Sequence, residues 1–139
     1  MKPFDYFIKK QEVKKCSPDV ALSNSLIKDM KERIRCTNFL KIEKFPKIVF
    51  ENTYDAIIDF ANALLAKDGY KSYSHQASLV YLLKYKVDLA TIINLDNIRF
   101  KRNSSKYYGQ SISIEDAQEI KKIYAKLKPK INKILNQNK

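Results

Sequence analysis

From Ala117 to Ile134 the apolar residues recur at steps of three and four without a miss: Ala117, Ile120, Tyr124, Leu127, Ile131, Ile134. Such a stripe is one face of an amphipathic helix and fits no strand, whose faces alternate every second residue. Ser113-Ile114-Glu115-Asp116 ahead of it supplies a capping hydroxyl and acids in the first turn. Lys121, Lys122, Lys126, Lys128, Lys130 and Lys133 coat the other faces, and Pro129 is expected to kink the helix. With 2 glycines and 4 prolines in 139 residues the chain lacks the turn chemistry of an all-β fold.

The rest of the chain follows the same period. Ser17-Pro18-Asp19 reads as a helix start, opening a first main helix from about Asp19 to Leu40 with Val20, Leu22, Leu26, Ile27, Met30 and Ile34 inward. Pro46 sets the start of a second, about Lys47 to Lys67, with Phe50, Tyr54, Ile57, Ile58, Ala61, Leu64 and Leu65 as its stripe and Gly69 as its left-handed stop. Tyr70 to Ser74 reads as a connection. A nearly all-apolar third helix, His75 to Tyr85, belongs at the centre. A fourth, Asp88 to Arg102, turns Leu89, Ile92, Ile93, Leu95 and Ile98 inward. Short links favour antiparallel neighbours, so the expected fold is all-α, an up-and-down bundle of four to five helices. Residues 1–16 form a basic-aromatic arm ahead of a single domain, 17–139, in which Phe4, Phe7 and Ile8 are the docking residues.

Charge narrows the function classes. The chain carries a net +12. Residues 1–50 hold 12 Lys/Arg against 6 Asp/Glu, 51–100 hold 5 against 6, and 101–139 hold 10 against 3. Basic ends around a neutral middle point to a polyanion, bound by phosphate neutralisation, or to solvated lysines in a lysine-rich composition. One histidine and two well-separated cysteines, Cys16 and Cys36, do not make a zinc site, and they read as reduced thiols. No metal and no cofactor is implied. No apolar run approaches a membrane span, and the N-terminus lacks an apolar signal core, so the expected location is cytoplasmic.

Between the last two helical patterns lies Arg102-Asn103-Ser104-Ser105-Lys106-Tyr107-Tyr108-Gly109. It reads as the connection after the fourth helix, where Arg102 and Asn103 either cap that helix or bind an anion. Arginine suits a phosphate because it is always charged and engages two oxygens at once. Arg99 lies one turn before Asn103. The candidate phosphate- or nucleotide-binding set is Arg99, Arg102, Asn103, Tyr107 and Tyr108. The lone His75 reads as a packing residue at the start of its helix, or as a proton-transfer group if the fold carries it to Arg102.

The order of Tyr54-Asp55-Ala56-Ile57-Ile58, Ala63-Leu64-Leu65-Ala66-Lys67-Asp68-Gly69-Tyr70, Ser74-His75-Gln76-Ala77, Arg102-Asn103 with Tyr107-Tyr108-Gly109, and Ile114-Glu115-Asp116-Ala117 resembles the HEPN superfamily, over residues 19–135. It is similar to the small stand-alone prokaryotic members found beside minimal nucleotidyltransferases. The resemblance implies a dimeric helical bundle that binds RNA or nucleotides and has a nucleotidyltransferase partner. Many members are metal-independent ribonucleases, often toxins, with an Arg, a polar residue and a downstream His. Arg102 and Asn103 match the first two, and Tyr107 stands where the resemblance expects the histidine. Tyr107 is a poor base at neutral pH, since a phenol ordinarily titrates near about 10, so the anion-binding half of the motif is what it keeps. Three functions remain open: an RNA- or nucleotide-binding protein with a degenerate motif; a ribonuclease with Arg102 and either Tyr107 or His75 as catalytic residues; and a non-catalytic helical adaptor.

Overall fold

The computed structural model describes residues 1–137. In chain order the elements are α1 (Phe4–Lys9), β1 (Val13–Lys15), α2 (Val20–Phe39), α3 (Pro46–Asp68), β2 (Tyr70–Ser72), α4 (His75–Tyr81), a 3₁₀ turn (Leu82–Tyr85), α5 (Leu89–Tyr108) and α6 (Ile114–Gln137). The fold is all-α, a helical bundle with one two-stranded sheet set against it.

Helix α3 is the axis on which the bundle is built. Pro46 occupies its first turn, and Gly69 ends it at φ 91°, the left-handed conformation that glycine adopts without a Cβ clash. Its small residues Ala56, Ala61, Ala63 and Ala66 are buried on several sides, which lets α2, α4, α5 and α6 all approach it. Helix α6 turns its whole stripe inward, with Ala117, Ile120, Tyr124, Leu127, Ile131 and Ile134 all buried. Each large side chain among them contributes about 1.5–3 kcal/mol of burial, so this helix is held by its stripe. Ser113 and Asp116 exchange hydrogen bonds at its start, Ser113 N–H donating to Asp116 Oδ2 at 2.9 Å and Asp116 N–H to Ser113 Oγ at 3.1 Å. The helix continues through Pro129 to Gln137.

Several sequence expectations change. The cap of α2 is Asp19 itself, whose carboxylate accepts from Leu22 N–H at 2.9 Å, because helical geometry begins only at Val20. Val20 and Leu22 lie on the exposed side of the first turn of α2, which is held to α3 by Ser23 Oγ donating to the Ala63 carbonyl at 2.7 Å, and Leu89 and Ile93 of α5 are exposed while Ile92, Leu95 and Ile98 carry its packing. The segment 70–74 is not a plain connection. Its strand β2 pairs antiparallel with β1 of the arm, Val13 opposite Ser72 and Lys15 opposite Tyr70. Phe7 and Val13 are buried against Ala77 and Val80, so the arm has its own small core on α4.

The largest change concerns residues 102–109. They are not the link after the fourth helix: α5 continues unbroken to Tyr108 and stops at Gly109, φ 71°. Asp88 caps the other end, accepting from Thr91 N–H at 3.2 Å. Arg102 and Asn103 therefore lie more than a turn inside the helix and do not cap it. Among the described residues, no helix is long and apolar enough to cross a membrane.

Candidate phosphate-binding cleft

The inward face of α5 changes character along its length. Ile92, Leu95 and Ile98 fill it in the first half of the helix, where α5 covers the bundle. Beyond Ile98 the same side carries Arg99, Arg102, Asn103 and Lys106, spaced at three, four and seven residues so that they share one face. Opposite them stands the start of α4. An open cleft of about 540 Å³ lies between, lined by Ser74, His75 and Gln76 on one side and Arg99, Arg102, Asn103, Lys106 and Tyr107 on the other, with Glu12 of the arm at the rim.

Each central cation is fastened from below. Arg102 Nη2 donates to Asp55 Oδ1 of α3 at 3.2 Å, and its guanidinium carbon lies 5.5 Å from the centre of the Tyr54 ring. The Arg102 side chain is 13% exposed, and its Nε is enclosed with no partner among the described residues. Asp55 is shared with Arg33 of α2 at 3.8 Å. Arg99 Nε donates to Asp96 Oδ1 at 2.8 Å, and Gln76 Nε2 reaches the other oxygen of Asp96 at 3.4 Å. A guanidinium already held by a carboxylate and an aromatic face loses less side-chain freedom when an anion arrives.

His75 enters from α4. Ser74 caps this helix, its Oγ accepting from Ala77 N–H at 3.2 Å. The Ser78 hydroxyl lies 2.7 Å from Asn62 Oδ1 and 2.9 Å from Ser72 Oγ, fastening the start of α4 to α3 and β2. The Nδ1 edge of His75 faces inward, 3.1 Å from the hydroxyl of the fully buried Tyr54, while the residue as a whole is exposed. Burial of that edge, reinforced by the Arg102, Arg99 and Lys106 charges and opposed by Asp55, holds the imidazole below its ordinary value of 6.5. The ring is therefore neutral at physiological pH. Burial also pushes the Tyr54 phenol up, so it keeps its proton.

Of the residues singled out from sequence, Arg99, Arg102, Asn103 and Tyr107 line the cleft together, and Tyr108 is not among its lining residues, projecting into solvent 84% exposed. His75, which the sequence favoured as a packing residue, lines the cleft with them. The sequence missed Tyr54, Asp55, Gln76 and Lys106. Lys106 carried a signal, since it lies four residues after Arg102 and shares its face once the helix is known to continue. Tyr54 falls within the apolar stripe of α3, which hides its hydroxyl. Glu12 carried no local signal, because it reaches the rim only through the pairing of β1 with β2. Chemically the cleft offers three cations, amide and hydroxyl donors and one neutral imidazole, with the exposed Tyr107 ring beside its mouth, where Lys106 Nζ lies 5.8 Å above it. That set has the chemistry to neutralise and orient a phosphate, and an aromatic ring beside a basic groove can stack on a base. Against known proteins, the chain matches no family model, no curated protein and no solved structure.

Proposed function

We propose that this protein is a HEPN-like RNA- or nucleotide-binding protein whose α4–α5 cleft takes the phosphate. The observation that carries the reading is the convergence of Arg99, Arg102, Asn103 and Lys106 with His75 around one open cleft, the two arginines tethered by Asp96 and Asp55. In this reading the chain forms a homodimer and works beside a minimal nucleotidyltransferase. The test is titration of a short fluorescent single-stranded RNA with wild type and Arg102→Ala. Wild type binds and the variant binds markedly less. Equal binding by both overturns the assignment of the cleft. If wild type shows no RNA or nucleotide affinity at moderate salt and co-purifies with a protein partner, the adaptor role takes its place.

One observation favours a second reading, a metal-independent ribonuclease: the only histidine lies in the cleft of Arg102, where a proton-transfer group would be needed. Incubation with total RNA in EDTA separates the two. The binding reading expects intact RNA. Cleavage by wild type that is lost in both Arg102→Ala and His75→Asn establishes the enzyme, and Tyr107→Phe then tells whether the phenol takes part.

A further inference from the structure

Tyr54 touches both chemical centres of the cleft with one side chain. Its ring lies beneath the Arg102 guanidinium, and its hydroxyl meets His75 Nδ1 at 3.1 Å. The residue is 0% exposed, and His75 is the one hydrogen-bond partner of its hydroxyl among the described residues. A buried phenol hydrogen needs an acceptor, and the Nδ1 lone pair is the one within reach. The reverse arrangement, with Nδ1–H donating to the phenol oxygen, would leave the phenol hydrogen with no acceptor. A neutral imidazole carries a single N–H, so filling the Nδ1 lone pair from Tyr54 places that N–H on Nε2, at the far side of the ring from Tyr54.

We propose that Tyr54 is the positioning residue of the cleft: it donates to His75 Nδ1, confines the imidazole proton to Nε2, and so presents His75 as a hydrogen-bond donor to a phosphate oxygen beside Arg102. The inference rests on the phosphate-binding reading for its ligand but not for its geometry. It adds a consequence. In this tautomer Nε2 has no lone pair with which to take a proton from a ribose 2′-hydroxyl, so the resting cleft is set to hold RNA and not to open it. The groups around His75 agree with a neutral donor. Arg99, Arg102 and Lys106 face it from α5 and disfavour a second positive charge, Asp55 from α3 opposes them, and Glu12 stands at the rim on the arm.

The chain has one histidine, so nitrogen-15 spectra of the imidazole ring contain one residue's signals. In ligand-free wild type above the ordinary imidazole pKa, Nδ1 is expected bare and Nε2 protonated. Tyr54→Phe keeps the ring beneath Arg102 and removes the donor. Its Nδ1–H form is expected to become detectable, with about threefold weaker binding of a short fluorescent oligouridylate, the size expected when a single hydrogen bond is lost. An Nδ1–H ring in wild type overturns the proposal, as does a Tyr54→Phe ring spectrum identical to wild type. If Tyr54→Phe does not fold, the wild-type spectrum alone decides. Metal-free RNA cleavage that is lost in His75→Asn, and whose rate in wild type rises with pH as the ring loses its proton, overturns the donor role, because that profile marks His75 as a proton acceptor. If wild type binds no oligouridylate, the phosphate reading fails while the ring spectrum still rules on Tyr54.

Discussion

Two basic faces of this molecule differ in how their charge is organised. On α6, Lys122, Lys126, Lys128 and Lys133 are exposed, each a hydrated ammonium on a flexible stem. Lys126 has a 3.9 Å contact with Asp88 across an open surface, the kind of pair that contributes little. In the α4–α5 cleft two of the three cations are guanidiniums fixed by buried or half-buried partners: Arg102 by Asp55 and the Tyr54 face, Arg99 by Asp96. The α6 face holds more positive charge, yet the cleft is where charge has a defined direction. Net charge by itself thus says little about where an anion is recognised, and the tethers say more.

The comparison breaks first if the cleft does not depend on the scaffold around it. Gly69 sits at φ 91°, and a Cβ there would lie 2.8 Å from the Cys16 carbonyl oxygen, where the arm joins the bundle. Cys16 N–H donates to the Gly69 carbonyl at 2.9 Å at the same point. Gly69→Ala should cost about 2 kcal/mol or more of stability, read from urea denaturation by circular dichroism, and should weaken RNA binding by displacing Glu12 and the start of α4. Gly109→Ala should cost about 1 kcal/mol, from its φ of 71° alone, since a Cβ there meets nothing within 4 Å.

A smaller effect tests the two faces directly. Arg102→Ala should weaken RNA binding by about tenfold, while Lys128→Ala should change it by less than about twofold, both by fluorescence anisotropy at fixed salt. Equal losses would mean that the cleft is only one part of a diffuse basic surface. Asp96→Ala sharpens the point. Simple charge counting expects tighter binding when an acid is removed, whereas the tether expects about a twofold loss, because Arg99 and Gln76 both lose their anchor.

The smallest effect is that of pH. The folded state holds His75 below its ordinary 6.5. Between the folded and unfolded values the unfolded chain binds more protons, so stability rises with pH through that window. This contribution is complete above the unfolded value and is lost as pH falls towards the folded one. Urea midpoints measured across mildly acidic pH should show the slope in wild type and a reduced slope in His75→Asn. Lys128→Ala on the α6 face should leave the slope unchanged.

Much of the bundle was legible in the residues. The α6 stripe and the Pro46 start and Gly69 stop of α3 follow local rules of periodicity and capping and sit within a residue or two of the expected places, whereas the apolar His75–Tyr85 segment is α-helical only to Tyr81 and closes as a 3₁₀ turn. Residues 102–109 read as a loop because Asn103, Ser104 and Ser105 are turn-formers and form a polar run after an apolar stripe. Here the inward face of α5 turns from apolar to polar after Ile98 while the helix continues, with Arg102 and Ser105 still largely enclosed. The strand pairing of β1 with β2 was equally hidden, since three-residue strands have no periodicity to read.

Local residue patterns specify most of the helices and apolar faces, the basic ends of the chain, and the residue types suited to an anion at Arg99, Arg102 and Asn103. These depend on intervals of three and four residues and on local capping, which the chain carries wherever it lies in space. It takes the packed fold to bring His75 to Arg102, to set Tyr54 beneath both, and to stand Asp55, Asp96 and Glu12 around them. His75 is 27 positions before Arg102 and Tyr54 is 48 before it, and no local interval encodes such distances. Their meeting is set by how α4 and α5 pack around α3, and with it the one orientation of an imidazole on which the chemistry of the cleft turns.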